Sequence, residues 1–564
     1  MLHIFKFYFF YGLLLFYKTK ANTNYNLIYP KLCISIDIKN EHVLPYFIGL
    51  IEDLRYPKDR ISLNFFVDND NSLIKRWIKE YPQGLYRSIS LTEQVLNWRE
   101  FSLLFGRRKS CNLLLIMDTN NFLLRDSLRQ MISFEELPVV LTPLLYSSFG
   151  DVNNAKDLLL DEWFIQREKL DFIREGVSML FIHYFVPKNV YFSNGPLLLN
   201  LKHPDSTYLT FDQNNLIGYE GLGNPIDVFG FSAFKMNIPI LFSNHFNYGY
   251  YLIEINSNVE HSALFSTFLA SFISDFGFIP FPHSSILLPL YPVETKLGFD
   301  QIYLINLARR PERLNKMKQI LRLVGISFKL FEAIDGQNLT KQHFASIKFL
   351  PNYLDPFHQR PMKLGEIGCF LSHYSIWKDI IQNGYERVII LEDDLKFTKN
   401  GTLIINQIVQ DLMKTRLDWD FIYFGRKKMS QSNKEYFVKG NKFLSTVTYS
   451  YWTIGYAITL SGAKKLIKAD PLNKLLALDE FLPIMYGQHP NKVWSNYFET
   501  SEGNNLKAFA AYPVILEPER YTNQLNYISD TENSKEINYN YFNEEEETIK
   551  EEFLNNELNF KDEF

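Results

Sequence analysis

The residues of this sequence that are most suited to a chemical role are three consecutive carboxylates, Glu392, Asp393 and Asp394. They follow the apolar run 388–391, in which three of four residues are β-branched, and this run predicts a strand buried on both faces. Adjacent acids repel one another and are costly to bury, so a cation such as Mg²⁺ or Mn²⁺ would stabilise them. Ligands of open α/β sheets bind at the carboxyl ends of strands. The stretch therefore predicts a metal site, with a solvated acidic turn as the alternative.

An arginine cluster and an acidic pair in the same half of the chain could complete such a site. Guanidinium groups near a strand end and a helix start suit a phosphate or diphosphate, and Arg309, Arg310 and Arg313 stand in that context. A basic helix surface is the alternative for these arginines. Asp479 and Glu480 lie in an apolar stretch, where a carboxylate can have a raised pKa and act as a general base. A helix N-cap is the alternative for this pair.

His373 ends another stretch of interest, which begins at Gly365. A glycine lets the backbone approach a ligand closely, and the imidazole offers a hydrogen-bond donor. The stretch therefore predicts that His373 contacts a ligand. A structural histidine, satisfied inside the protein, is the alternative.

Apolar runs that alternate with helical patterns must position these groups. In the first half, strands are predicted at 31–40, 61–67 and 113–117, with helices at 43–55 and 72–80. This alternation predicts a parallel α/β sheet.

The second half starts the same plan again after the proline-containing stretch 278–292, which predicts a linker or a domain seam. Its strands are expected at 301–305, 326–331, 388–391 and 420–424, with a helix at 365–382. A chain of 564 residues is too long for one domain. The expected fold class is therefore α/β, with two tandem domains over residues 27–290 and 297–530.

The composition favours a globular protein with a large core and gives no support for nucleic-acid binding. Of the residues, 46% are hydrophobic and 22% are charged, and the net charge is -4. The three cysteines are too few, and odd in number, for a disulfide framework, and the apolar surroundings of Cys33 and Cys369 predict buried thiols. Sequons for N-glycosylation occur at Asn338 and Asn400.

Both ends of the chain resemble targeting signals. Residues 1–23 contain an apolar core too short for a bilayer span, which predicts a secretory signal peptide, with a retained signal anchor as the alternative. Residues 531–564 form an acidic tail whose last four residues, Lys-Asp-Glu-Phe, are similar to a KDEL-type retrieval signal. These features predict residence in the lumen of the endoplasmic reticulum.

Several longer motifs occur in the order typical of one enzyme family. The matching blocks are 302–307 with Arg309 and Arg310, then 365–373, 391–394, 418–423, 449–453, 478–483 and 527–532. On these residues the chain resembles glycosyltransferase family 25, in particular the animal members that modify procollagen. The similarity is dense from about 297 to 532 and thinner from about 31 to 290.

The resemblance implies two tandem GT-A-type, Rossmann-like domains, a UDP-galactose donor and Mn²⁺. It implies inverting transfer of galactose to hydroxylysine of collagen. Asp393 and Asp394 would form the metal and diphosphate site with Glu392 beside them, and Asp479 and Glu480 would be important for activity. One of these last two acids would be the base, and the arginines would stabilise the diphosphate. Expected partners are collagen-like chains and a UDP-sugar, and a homodimer is left open.

The first half departs from the family pattern at its expected metal motif. An Asp-x-Asp sequence is usual there, but this chain has Asp118-Thr119-Asn120. A neutral Asn oxygen replaces a charged ligand, so metal affinity should fall. We therefore expect a catalytically weak or silent N-terminal domain, although Asp118 could still ligate with help from Asp68 or Asp70.

Two other functions stay open on sequence alone. One is a non-catalytic collagen-binding or adhesion protein on the same fold, and the other is a family 25 enzyme with another sugar or acceptor. The intact acids at 392–394 and 479–480 favour an active enzyme, whereas Asn120 argues mildly against one.

Overall fold

The computed structural model describes residues 29–537 with gaps. The gaps are 68–70, 83, 94, 134–136, 146–178, 183–194, 222, 244, 253–257, 399–400, 430–432, 500–504, 520–528 and 532. The predicted signal peptide, the acidic tail beyond 537, the sequon at Asn400 and the acids Asp68 and Asp70 all lie outside the described residues.

The first half of the chain builds an eight-stranded mixed sheet in the order β3-β2-β1-β4-β8-β6-β9-β7. The strands of this half are β1 Leu32–Asp37, β2 Ile61–Val67, β3 Ser88–Glu93, β4 Leu113–Asp118, β5 Asn121–Leu123, β6 Val140–Pro143, β7 Met179–Ile182, β8 Leu197–Asn200, β9 Ile240–Ser243 and β10 Gly249–Tyr251. Its helices are α1 Leu44–Asp53, α2 Ser72–Glu80, α3 Trp98–Arg108, α4 Ser127–Ile132, α5 Pro225–Lys235 and α6 Asn258–Phe276. Every residue of β1, β2 and β4 is buried, because apolar clusters cover both faces of the sheet.

The second half builds a seven-stranded mixed sheet in the order β12-β11-β13-β17-β15-β18-β16. Its strands are β11 Gln301–Asn306, β12 Lys329–Glu332, β13 Arg387–Glu392, β14 Leu395–Phe397, β15 Phe421–Lys428, β16 Leu444–Thr446, β17 Ser450–Thr459, β18 Ala508–Ala511 and β19 Leu516–Pro518. Its helices are α7 Pro311–Leu323, α8 Lys341–Ala345, α9 Leu364–Asn383, α10 Gly401–Thr415, α11 Leu460–Lys468, α12 Leu478–Met485 and α13 Lys492–Tyr497.

The predicted fold class of two tandem Rossmann-like α/β units is confirmed, but the sheets are not wholly parallel. Strands β12, β11 and β13 run parallel, whereas β17 is antiparallel to both β13 and β15. The connection 429–449 between β15 and β17 contains no helix among its described residues. Parallel neighbours need a crossover connection, usually helical, so β17 returns antiparallel.

Helix α6 joins the two halves. It packs against α7 and β14, and one apolar cluster continues from the first sheet through this helix into the second sheet. An ion pair of 3.0 Å between Asp275 and Lys396 adds a polar contact. The stretch 278–292 lies between α6 and β11 without helix or strand. Within the part of the chain that the structure describes, no helix has the length and apolarity that a membrane span requires.

Cys33 and Cys111 form a disulfide, so the expectation of a buried free thiol at Cys33 is wrong. Cys33 lies on β1, and Cys111 comes just before the neighbouring strand β4, so their Cα atoms are 5.8 Å apart across 78 residues of sequence. This proximity arises from strand pairing and is invisible in the spacing of the cysteines. Cys369 is a free thiol, as expected, but it is only partly buried.

Replacing Cys33 and Cys111 together with Ala should lower the free energy of unfolding by about 2–4 kcal/mol, because the disulfide restricts the unfolded chain. Chemical denaturation monitored by fluorescence measures the change. Cys369→Ala in the intact disulfide background is the control and should change the stability much less. Equal stability of the double variant and the wild type would contradict the prediction.

Candidate functional site

The candidate site lies at the carboxyl end of β13, between the neighbouring strands β11 and β17. Strand β13 ends at Glu392, and Asp393 and Asp394 form the turn that follows. Strand β11 ends beside it at Asn306, and β17 passes on the other side with Leu391 opposite Gly455. The predicted acidic stop after a buried strand therefore stands where ligands of α/β sheets bind.

Asp393 is held by two donors, one at the end of β11 and one in α7. Its Oδ2 atom accepts a hydrogen bond of 2.5 Å from Asn306 Nδ2, and its Oδ1 atom lies 3.4 Å from Arg313 Nη1. The side chain is nearly buried, and burial raises its pKa, although Arg313 and Asn306 oppose the shift. A cation beside this carboxylate would favour its ionised form.

Glu392 is fixed by polar side chains behind the turn. Its Oε1 atom accepts a hydrogen bond of 2.6 Å from Thr453 Oγ1 and lies 3.3 Å from His373 Nε2. Burial raises the pKa of Glu392, but the contacts with His373 and Thr453 outweigh burial and lower it. Glu392 is therefore held as a carboxylate.

Both ring nitrogens of His373 lie within hydrogen-bond distance of a polar side chain. Trp377 Nε1 donates to Tyr456 Oη over 3.0 Å, and that oxygen lies 2.9 Å from His373 Nδ1. If the tyrosine donates to Nδ1, the imidazole proton lies on Nε2 and faces Glu392. His373 also lines the candidate cleft, so its predicted contact with a donor stays a prediction.

The cleft combines acidic and basic walls at the ends of the strands. Its lining residues are Ile305, Asn306, Leu307, Arg309, Arg313, Ala333, Ile334, Asp335, Gly336, Gly365, Cys369, Ser372, His373, Glu392, Asp393, Asp394, Ser529, Asp530 and Thr531. All three predicted metal-site acids and two of the three predicted arginines are thus brought together.

The three arginines converge on one carboxylate, Asp530. Arg310 contacts both carboxylate oxygens of Asp530 through Nε, and its Nη2 donates to Oδ1 over 2.9 Å. Arg309 Nη1 donates to Asp530 over 2.5 Å, and Arg313 Nη1 lies 3.4 Å from it. Asp335 takes a further bond of 2.8 Å from Arg309. Because Arg313 also contacts Asp393, the cluster lies beside the acidic turn, where guanidinium groups suit the predicted diphosphate site.

The donor set at this turn fits a hard divalent cation. Asp393 and Asp394 offer carboxylate oxygens toward one cleft, and such oxygens are the ligands that Mg²⁺ and Mn²⁺ prefer. Cys369, His373 and Glu392 also place ligand atoms within 4.8 Å of one another. Burial, together with the nearby carboxylates, raises the pKa of the Cys369 thiol well above its usual range, which disfavours a thiolate ligand. The oxygen set is therefore the better metal site.

Asp479 lies in the first turn of α12, where it contacts β17. Its Oδ1 atom accepts a hydrogen bond of 3.1 Å from the backbone N–H of Trp452. Burial raises the pKa of Asp479 to about 7, and the negative charges of Glu392 and Glu480 add to the shift. A carboxylate with this pKa can accept a proton near neutral pH. The predicted raised pKa is thus present in the structure.

Glu480 has a different environment from its neighbour. Its carboxylate contacts the hydroxyls of Tyr449 and Tyr451 and the ring nitrogen Nε2 of His489, the last over 2.7 Å. Glu480 is 2% exposed, so these three partners surround it inside the protein. Asp479 is therefore the better candidate for the base, and Glu480 is better explained as an anchor for α12 and β17.

Trp452 has a backbone conformation that the sequence did not predict. Its φ of 78° is in the left-handed region, which is strained for a bulky side chain. This conformation accompanies the N–H contact with Asp479, while the next residue, Thr453, binds Glu392. Two adjacent residues of β17 thereby connect the candidate base with the acidic turn. A positive φ is expected from the sequence at glycine, and a tryptophan gives no such indication.

Comparisons with known proteins agree with this architecture. The model for glycosyltransferase family 25 (LPS biosynthesis protein) matches residues 299–482, and the model for the family's N-terminal domain matches residues 89–266. A "Glycosyltransferase 25 family member" of Aedes aegypti is 35% identical, over 91% of this chain and 88% of its own. "Procollagen galactosyltransferase 2" of Mus musculus is 33% identical, over 87% of this chain and 82% of its own. The chain belongs to glycosyltransferase family 25.

One solved structure similar to this family 25 chain is a mannosyltransferase from Pyrobaculum calidifontis in complex with GDP-Man and Mn²⁺. It is 11% identical, covers 47% of this chain and 69% of its own, and has a TM-score of 0.26. A similarity of this size carries no inference about function.

In the family 25 N-terminal domain, the polar side chains of the Asp118-Thr119-Asn120 motif are hydrogen-bonded to other protein groups. Asp118 Oδ1 accepts hydrogen bonds from Asn120 N over 2.9 Å and from Asn121 Nδ2 over 2.5 Å. Asn120 Oδ1 lies 3.0 Å from His261 Nε2, and Asn120 is fully buried. Burial lowers the pKa of His261 to about 4, so the imidazole is neutral and donates to Asn120. The oxygen that would bind a metal here already has a protein partner.

The structure describes one of the two predicted glycosylation sites. Asn338 ends a short 3₁₀ turn and is exposed, as a glycan would require. Asn400 lies outside the described residues. Glycosylation stays a prediction at both.

Proposed function

We propose that this protein transfers galactose from UDP-galactose to the hydroxyl group of hydroxylysine in collagen-like chains, with inversion at the sugar and Mn²⁺ at Asp393 and Asp394. The curated relatives named procollagen galactosyltransferase, which match about nine-tenths of this chain, support the donor sugar and the acceptor. The observation that carries the proposal is the placement of Asp479 next to the acidic turn, joined to it by Trp452 and Thr453.

Two groups of side chains would stabilise the leaving group. Asp393 and Asp394 would hold the metal, which when bound supplies positive charge to the diphosphate leaving group. Arg309 and Arg313, which also line the cleft, would add donors to the diphosphate oxygens. With the leaving group stabilised in this way, no protein acid is needed to protonate it.

Asp479 would remove the proton from the acceptor. The hydroxylysine oxygen forms its bond to the anomeric carbon as the bond from that carbon to the diphosphate oxygen breaks, and the hydroxyl proton goes to Asp479. The pKa of about 7 makes this carboxylate a stronger base than an exposed one, while it is still ionised in a sizeable fraction at neutral pH. The bond from Trp452 N–H fixes its orientation.

Mass spectrometry of an acceptor peptide tests the proposal. A collagen peptide containing hydroxylysine should gain one hexose from UDP-galactose, and the same peptide with lysine should gain none. UDP-glucose and UDP-N-acetylglucosamine are the matched donors. Transfer of another sugar would show a family 25 enzyme with a different donor. Collagen binding without any transfer would instead favour the non-catalytic alternative.

We also propose that the N-terminal domain is catalytically silent and serves as scaffold or acceptor-binding surface. The contact between His261 and Asn120, and the loss of one charged ligand, both support this proposal. The terminal signals at 1–23 and 561–564 support residence in the lumen of the endoplasmic reticulum.

Restoring the acidic motif with Asn120→Asp should create Mn²⁺ affinity in the N-terminal domain, because a second carboxylate then stands beside Asp118. Calorimetry on the full chain carrying Asp393→Ala and Asp394→Ala isolates this half, and we expect a gain of about tenfold or more in affinity. The same background with Asn120 retained is the matched control. Equal Mn²⁺ binding in the two proteins would rule out a silent first domain of this kind.

A further inference from the structure

A segment near the C-terminus crosses the candidate cleft. We name it the C-terminal strap, which comprises residues 529–531 and 533–537. Leu364 N donates to Lys535 O over 2.9 Å, and Ile537 N donates to Met362 O over 3.1 Å. These bonds fasten the strap to the chain just before and at the start of α9. Ser529, Asp530 and Thr531 thereby become one wall of the cleft.

Gly365 explains how the strap can lie so close to α9. A Cβ atom at this position would lie 2.2 Å from Asp530 O and 2.8 Å from Thr531 Cα. The backbone N–H of Gly365 also donates to Ser534 Oγ over 2.9 Å. The absence of a side chain at Gly365 is therefore a requirement of the strap, in addition to any contact of the helix start with a ligand.

The carboxylate of Asp530 competes for the arginine nearest to the acidic turn. Arg313 Nη1 lies 3.4 Å from Asp530 Oδ2 and 3.4 Å from Asp393 Oδ1, so the guanidinium is shared between the two acids. Contacts with Arg310 and Arg309 hold Asp530 in place. Without the Asp530 carboxylate, the attraction to Asp393 would draw the Arg313 guanidinium further onto a proposed metal ligand.

A guanidinium bound fully to Asp393 would weaken the binding of a divalent cation in two ways. It would occupy a carboxylate oxygen that the cation needs, and its positive charge would repel the cation at short range. The shared position weakens both effects while it leaves Arg313 at the wall of the cleft. The negative charge at 530 is thus the feature that competes with Asp393 for Arg313.

We propose that Asp530 is a positioning residue that shares Arg313 with Asp393 and so limits the hold of this guanidinium on Asp393, which keeps the acidic turn available to a divalent cation. This inference rests on the proposed function, since it assumes that a metal and a nucleotide bind at this cleft. Asp530 itself contacts neither reacting atom and is not a catalytic residue.

Calorimetric titration of Mn²⁺ in the presence of UDP tests the proposal on the full chain, without any acceptor or turnover. Asp530→Asn should weaken Mn²⁺ binding by about 10- to 100-fold, a size usual for residues that support metal ligands. Adding Arg313→Gln to Asp530→Asn should recover most of that loss, because the competing cation is then removed. Asp530→Glu, which keeps the charge, should lose less than Asp530→Asn.

Asp126→Asn is the matched control, because it removes the acid of an exposed ion pair with Arg55 in the other half of the chain. It should leave Mn²⁺ affinity unchanged. Unaltered affinity in Asp530→Asn would overturn the inference alone. A loss that Arg313→Gln fails to recover would also overturn it, since it would show that Asp530 supports only the strap. A wild type that binds no Mn²⁺ with UDP would overturn the proposed function as well.

Discussion

Replacing Asp479 with Asn should lower kcat for sugar transfer by about 10²- to 10⁴-fold, the usual contribution of a general base. The amide keeps the size of the side chain and cannot accept the hydroxyl proton. In the wild type, kcat/KM should rise with pH and level off above about 7, where Asp479 is ionised. This rise should be absent from the residual activity of the variant.

The same substitution should stabilise the fold at alkaline pH. Burial raises the pKa of Asp479 from 3.8 to about 7, so the folded protein binds a proton that the unfolded chain has released between these values. Folding stability contributed by this group therefore falls as pH rises through the window from about 4 to 7. Asn carries no such penalty, and the gain above pH 7 should be on the order of 2–4 kcal/mol.

Steady-state kinetics measures the effect on kcat. Thermal denaturation at pH 5 and pH 8 measures the effect on folding stability. Glu480→Gln is the matched control, because Glu480 is surrounded by its three donors and its loss should destabilise the fold at both pH values. If Asp479→Asn kept kcat within a factor of a few and the wild-type pH profile, Asp479 would not be the base.

Removing both carboxylates of the acidic turn, with Asp393→Ala and Asp394→Ala, should abolish Mn²⁺-dependent release of UDP from UDP-galactose. Loss of several kcal/mol of charge stabilisation corresponds to a decrease in rate of about 10³-fold or more. The decrease should persist at high Mn²⁺ concentration, because the ligands are absent.

Asp118→Asn is the matched variant in the other half of the chain and should change the rate by less than about twofold if that half is silent. Near-UV circular dichroism would confirm that each variant is folded. Comparable losses in both halves would place essential metal chemistry in the N-terminal domain, and full activity of the Asp393/Asp394 variant would exclude the acidic turn.

The strands that build the site were predictable because local sequence determines them. The apolar runs before Glu392 and at 113–117 form buried strands, and the acids that follow stand at strand ends as predicted. The apolar surroundings of Asp479 likewise predicted its raised pKa. In each case a short stretch of chain carries both the cause and the effect.

The contacts that decide the roles of these residues join distant parts of the chain and were not predictable. Cys33 meets Cys111 only because β1 pairs with β4, and Asp530 meets Arg310 across 220 residues. The partners of Glu480 come from β17, from the residue just before it and from the segment after α12. No local pattern encodes such contacts, so the separation of base from anchor within the acidic pair needed the structure.

An anomalous difference map, recorded at the manganese absorption edge from crystals grown with MnCl₂ and UDP, tests most directly whether the chemistry lies in the second domain. We predict one strong peak beside the carboxylates of Asp393 and Asp394, with the diphosphate between it and the arginines at 309–313. A peak beside Asp118 with none at the acidic turn would contradict this assignment, as would a diphosphate bound away from the turn.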